Sequence, residues 1–134
     1  MAKYLYPAIF TPEEDGGYSV SFPDMENCFT DGNDLMEAMQ MANDALCLML
    51  YHMEMKGESI PAASDVRAIQ KQVNEGEFVS LISCDTMAYR KFYENKAVKK
   101  TLSIPSWLNE MAEQAGLNFS ATLQEALKLK LNID

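Results

Sequence analysis

From Lys3 to Phe10 the chain is rich in aromatic and branched residues, and Tyr18-Ser19-Val20-Ser21-Phe22 alternates polar and apolar positions with a period of two. Both runs predict strands, the second half-buried, because alternate side chains of an extended chain fall on opposite faces. Thr11-Pro12-Glu13-Glu14-Asp15-Gly16-Gly17 between them has the composition of a turn, so the strands form a hairpin with a loop longer than the tightest turns. Pro23 stops the second strand, and Cys28-Phe29-Thr30, closed by Asp31-Gly32, predicts a third.

After Gly32 the period changes. Leu35, Ala38, Met39, Ala42, Leu46, Met49 and Leu50 recur at spacings of three and four, which predicts a helix capped by Asn33 or Asp34 and running to about Lys56, with Gly57 as its stop. Its methionines (Met36, Met39, Met41, Met49, Met53, Met55) are expected to fill core rather than to form an adaptable binding face. Glu58 to Asp65 reads as a loop, Val66 to Val73 as a short helix or irregular chain, and Phe78–Cys84 as a buried strand. The body is thus α+β: an antiparallel, hairpin-based sheet covered by one long helix. Asp85 to Val98, polar but carrying Tyr89, Phe92 and Tyr93, is expected to connect body to tail, its aromatics anchored on the sheet.

The tail repeats the change of period. Lys99-Lys100-Thr101-Leu102-Ser103-Ile104 alternates and then meets Pro105. As a strand it would set Lys99, Thr101 and Ser103 on one face and Leu102 and Ile104 on the other. So short a strand needs a partner, most economically from a second copy, and the resulting ribbon is the right size for a major groove. A first helix follows with Trp107, Leu108, Met111, Ala112 and Ala115 on one face and Gly116 as its stop; Asn118 caps a second that buries Phe119, Leu123, Ala126, Leu127 and Leu131. Its first N–H groups, near Phe119 and Ser120, suit a phosphate. Hence Lys99, Thr101, Ser103, Asn118, Phe119 and Ser120 are the candidate DNA contacts. Leu102, Ile104, Trp107, Leu108, Met111, Leu123 and Leu127 are the expected dimer core.

Charge divides the 134 residues in the same place. The net charge is −9. Residues 1–94 hold 6 Lys/Arg against 16 Asp/Glu, a balance of −10, while residues 95–134 hold 5 Lys against 4 acids, a balance of +1. An acidic body repels nucleic acid and attracts basic partners. No run of about 18 apolar residues occurs, so no membrane span is expected, and the opening Met1–Tyr6 lacks the features of a signal peptide. Cys28, Cys47 and Cys84 are widely spaced, no CxxC occurs, and His52 is the single histidine. This favours a reducing cytoplasm and argues against a disulfide scaffold or a zinc site. No catalytic residue, metal ligand or cofactor is expected. Cys47 is five positions before His52, not a helical neighbour spacing, and Gly16-Gly17 is a hairpin turn rather than a phosphate loop.

The ordered run Tyr4-Leu5-Tyr6-Pro7-Ala8-Ile9-Phe10, Glu14-Asp15-Gly16-Gly17-Tyr18-Ser19-Val20-Ser21-Phe22-Pro23-Asp24, Cys28-Phe29-Thr30-Asp31-Gly32, Ile60-Pro61 and the tail from Asn95 through Leu127 resembles the HicB antitoxin family of type II toxin–antitoxin operons over nearly the whole chain. The tail resembles a ribbon-helix-helix module. Where the family often has proline-glycine before the cysteine, this chain has Met25-Glu26-Asn27, so a different turn is expected there. The resemblance implies a degenerate ribonuclease-H-like body (1–84) that binds and masks a HicA-type toxin, a small basic messenger-RNA interferase. It also implies a connector (85–97) and a tail (98–134) that forms a homodimer and represses its own operon by binding operator DNA; assembly into tetramers stays open. Glu13, Glu14, Asp15, Asp24 and Glu26, at the hairpin and strand ends, are the candidate toxin contacts. The strand-borne carboxylates that two-metal hydrolysis requires are missing from Lys3–Phe10 and Phe78–Cys84, so no enzyme is expected. The competing reading is a stand-alone ribbon-helix-helix regulator whose body senses a ligand through the methionine-lined helix and Tyr4, Tyr6 and Tyr18.

Overall fold

The structure is a computed structural model that describes residues 2–134. It divides into two compact units, the first running to Lys96 and the second Ala97–Asp134. In the first, β1 (Lys3–Pro12), β2 (Tyr18–Ser21), β3 (Phe29–Gly32) and β4 (Phe78–Asp85) form one antiparallel sheet in the order β3-β2-β1-β4. β1 pairs with β2 from Ile9 opposite Ser21 to Pro12 opposite Tyr18, and with β4 along eight positions from Lys3 opposite Asp85 to Phe10 opposite Phe78. The four strands expected of the body are present, with ends moved by one or two residues.

The helix predicted after Gly32 is α1 (Leu35–Lys56). The Asp34 carboxylate accepts from the Glu37 N–H at 2.8 Å, and Gly57 ends the helix with φ 69°, a left-handed conformation that glycine adopts without steric cost. Ala38, Ala42, Leu46 and Leu50 are fully buried and pack with Tyr6, Ala8, Phe10, Val20, Ile82 and Cys84 of the sheet. The stripe is narrow at its start because β3 lies hard against it: a Cβ placed on Gly32 would stand 2.3 Å from the Ala38 nitrogen.

The methionines correct the expectation of core filler. Met36 is 72% exposed, Met39, Met41 and Met55 are also exposed, and only Met49 and Met53 pack partly on the core. The face that meets the sheet is taken by Ala38, Ala42, Leu46 and Leu50, so most of the methionines fall outside it. Phe78–Cys84 is also not buried throughout: Leu81 and Ser83 are exposed while Ile82 and Cys84 are buried, since α1 covers one face of this edge strand.

α2 (Val66–Gln70) is a short helix against β4 and β1. A larger departure is α3 (Thr86–Tyr93), within the stretch read as a connector. Asp85 caps it, its Oδ1 accepting from the N–H groups of Met87 (3.0 Å) and Ala88 (3.1 Å). Of its aromatics, Tyr89 packs on α1, its ring tilted against that of Tyr51 at 5.4 Å between centroids, and the Tyr51 hydroxyl donates to Glu94. Thr86, fully buried, sits 3.1 Å from Glu54 Oε2, to which the Tyr4 hydroxyl donates at 3.1 Å. Burial, then the Glu54 carboxylate, pushes the Tyr4 hydroxyl up to about 12.

The second unit contains α4 (Ser106–Gln114) and α5 (Phe119–Leu131). Gly116, φ 71°, closes α4, and Leu117 N–H bonds back to the Ala112 carbonyl at 3.1 Å. The Asn118 side chain caps α5 by accepting from Ala121 N–H at 3.0 Å. The expected strand at 99–104 forms neither strand nor helix in the single chain. A ladder exists only between two strands, and this unit offers none to pair with.

Gly32→Ala is expected to cost about 2–4 kcal/mol, because the clash is with backbone that cannot rotate away. Chemical denaturation of the variant and the parent chain measures it.

Candidate functional site

The hairpin tip gathers acids because its turn leaves their side chains outside. Glu13 N–H donates to the Gly17 carbonyl at 2.8 Å, Gly17 N–H to Asp15 Oδ1 at 2.9 Å, and Gly16 takes φ 92°. Glu13, Glu14 and Asp15 border an open depression with Asp31 and Asn33. Three of the five candidate toxin contacts are therefore together, on a polar and solvated surface. Glu26 is exposed beyond the second strand, near Asn27, whose φ of 57° makes the turn before Cys28. Asp24 is already engaged. Its Oδ2 accepts from Ser64 N–H at 2.9 Å and its Oδ1 from the Ser64 hydroxyl, fastening the 58–65 loop to the end of the sheet.

In the second unit, Lys99, Thr101, Ser103, Asn118, Phe119 and Ser120 are all exposed. The Asn118 side-chain oxygen is spent on its cap, while the Phe119 and Ser120 N–H groups precede the first intrahelical bond, Thr122 to Asn118. The residues expected to form a dimer core are little covered within the second unit. Trp107 is 62% exposed and Met111 61%; Leu102, Ile104, Leu108 and Leu127 are exposed and Leu123 half-buried. Neither α4 nor α5 has a buried residue. Two amphipathic helices without a fully buried residue leave a broad apolar surface open.

The residues weighed for catalysis are dispersed. Among the described residues no three His, Cys, Asp or Glu side chains gather as metal ligands. His52 is exposed on α1 with its ring edge-on to Tyr51, and Asp85 is occupied as the α3 cap. Cys28, Cys47 and Cys84 are free thiols buried in the core. The hydrogen bond with Cys47, and then burial, pushes the Cys84 thiol up, so it stays protonated at neutral pH. The tyrosines of the ligand-sensor reading do not converge. Tyr4 and Tyr6 border a depression with Ile60 and Pro61, where the Tyr6 hydroxyl donates to the Pro61 carbonyl, while Tyr18 lies by the acidic hairpin, edge-on to Phe78.

Sequence reasoning missed the aromatic ladder that α3 builds beside α1. Tyr89 and Tyr93 stand 4.6 Å apart between ring centroids, and Phe92 and Tyr93 4.9 Å. The signal was present: an Asp before Thr86, then Tyr89, Phe92 and Tyr93 at the three-and-four spacing of one helix face.

Residues 6–126 match the model of a family described as the HicB_like antitoxin of bacterial toxin-antitoxin systems. Over 61 residues the chain is 41% identical to "Antitoxin HicB 1" of Photorhabdus laumondii, a match covering 46% of this chain and 39% of that protein. The chain thus spans less than half the length of that curated relative. Among solved structures it is similar to one chain of a toxin–antitoxin complex from Streptococcus pneumoniae, with a TM-score of 0.61, 28% identity, and coverage of 96% of this chain and 99% of that one. It shares the fold of the Burkholderia pseudomallei antitoxin HicB, with a TM-score of 0.54 at 17% identity over 92% of this chain and 96% of that one.

Asp24→Ala is expected to lower stability by about 1–3 kcal/mol, by releasing Ser64 and its loop. Thermal melting of the variant checks the loss. Faster proteolysis within residues 58–65 would locate it.

Proposed function

The chain belongs to the HicB-like antitoxin family, and we propose that it is an antitoxin that binds and masks a HicA-type toxin through its first unit and represses its own operon through a dimeric second unit. The observation that carries this reading is the division of the chain. One unit is acidic, with a closed core; the other has apolar faces that nothing within it buries. The solved relative from Streptococcus pneumoniae, similar over almost the full chain, comes from a toxin–antitoxin complex, which supports a toxin as the partner here.

In this reading the first unit has a degenerate ribonuclease-H-like fold without catalytic carboxylates, and the chain works in the cytoplasm. A balance of −10 over residues 1–94 draws in a basic ribonuclease by long-range steering, which is salt-sensitive. The second unit is a ribbon-helix-helix module. Two copies of 99–104 pair antiparallel, which supplies the ladder a single chain lacks. Leu102, Ile104, Trp107, Leu108, Met111, Leu123 and Leu127 then close a shared core, and the ribbon turns Lys99, Thr101 and Ser103 towards base edges. The Phe119 and Ser120 N–H groups at the start of α5 hold a phosphate.

Co-expression with the small basic reading frame beside this gene tests the antitoxin reading. The neighbour is expected to arrest growth alone and to be harmless with this chain, with which it co-purifies. A harmless neighbour, or one that does not co-purify, defeats the proposal. For the second unit, Leu102→Asp is expected to abolish the dimer in analytical ultracentrifugation by placing unpaired charge in the shared core. Thr101→Ala with Ser103→Ala is expected to keep the dimer and reduce discrimination between operator and random DNA by about 1–3 kcal/mol per lost base contact, read by gel shift. Loss of the dimer in that double variant would show that the strand faces are assigned the wrong way round.

A further inference from the structure

Two adjoining depressions run along α1 and α3, both within the first unit. One, of about 320 Å³, lies between Met41, Asp44 and Leu48 of α1 and Tyr89 and Tyr93 of α3. The other, of about 490 Å³, lies between Asn43 and Asp44 of α1, Asp85, and Tyr89, Phe92 and Tyr93. Asp44, Tyr89 and Tyr93 border both, and no Lys or Arg lines either. Phe92 is 73% and Tyr93 60% exposed, with Met41 and Leu48 also open to solvent. The α1–α3 surface therefore joins packed aromatic rings, aliphatic walls and two carboxylates.

We propose that this groove is where the toxin docks, and that it receives an arginine or lysine side chain of the toxin, the cationic head beside Asp44 and the apolar stem along Tyr89 and Tyr93. The inference rests on the antitoxin reading above. A cation over an aromatic face is held by the ring quadrupole, and a long basic side chain buries its stem while its charge meets a carboxylate. A second copy of this chain is a poor occupant: it would bring Asp44 and Asp85 against another strongly acidic body. The acidic hairpin offers charge without an apolar floor. Exposed rim charges of that kind set the rate of encounter, whereas partly desolvated aromatic pockets set the lifetime of a complex. The hairpin thus attracts the toxin and the α1–α3 groove retains it.

The test is calorimetric titration of the full chain with the toxin encoded beside it, using Asp44→Lys, Tyr93→Ala and, at the hairpin, Glu14→Lys. Asp44→Lys is expected to weaken binding about 100-fold and Tyr93→Ala about 10-fold, while Glu14→Lys changes it by about threefold or less. Melting temperature and operator binding stay at the parent values. If Tyr93→Ala melts early, Leu48→Glu on the opposite wall takes its place: a fall of about 10-fold supports the groove, and parent affinity overturns it. Parent affinity in Asp44→Lys and Tyr93→Ala, with loss in Glu14→Lys, overturns the groove and leaves the antitoxin reading standing. A changed oligomeric state of Asp44→Lys or Tyr93→Ala in the absence of toxin also overturns it, by making the groove an interface between copies. A parent chain that does not bind the toxin removes the antitoxin reading and the groove together.

Discussion

The close approach of α1 to the sheet is the constraint on which the first unit depends. Gly32 lies against the backbone at Ala38, and from there the helix meets the strands through Ala38, Ala42, Leu46 and Leu50, with no residual exposure. Interiors are packed to crystal-like density, so the separation of helix and sheet decides which side chains fit between them. Alanine fits at the tight end, and leucine follows at Leu46 and Leu50. Met36, Met39, Met41 and Met55 are turned to solvent, and only Met49 and Met53 pack partly on the core. The same seating presents Asn43, Asp44 and Cys47 to the side where α3 packs, and so creates the groove.

The two units satisfy the hydrophobic effect in different ways. The first closes its own core from a four-stranded antiparallel sheet and a helix, then adds α3 through rings and the Tyr51–Glu94 contact. The second buries none of its helical residues. About forty residues seldom enclose enough apolar area to offset the entropy of ordering them, and the apolar faces of α4 and α5 stay exposed accordingly. Charge divides the same way: the acidic excess stands on the unit with the closed core, and the unit with the exposed apolar faces is nearly neutral.

Much of the fold was legible in the chain. The alternation at 18–22, the aromatic and branched run at 3–10 and the three-and-four spacing after Leu35 located the hairpin and the long helix, because period two and period 3.6 follow from backbone geometry alone. Asp34 and Gly57 marked the helix ends for equally local reasons. The α3 helix was overlooked because its polar residues gave it the look of a linker, although its aromatic spacing is helical. The acids at Glu13, Glu14 and Asp15 were recognisable as a cluster, since they are neighbours in sequence. Asp24 was not recognisable as a loop fastener, since Ser64 is forty residues away.

By itself, then, the sequence determined what depends on near neighbours: element types, capping, the acidic and neutral halves, the family resemblance, and the apolar faces of α4 and α5. Only the tertiary structure decided which side of α1 faces the sheet, that Met36, Met39, Met41 and Met55 stand in solvent, and that Asp24 is tied down. It alone brought Asp44, Tyr89 and Tyr93 to the border of one groove. These outcomes turn on distances between segments far apart in the chain. Periodicity says that a helix has an apolar side, whereas the volume left by the opposing sheet says which residues that side can hold.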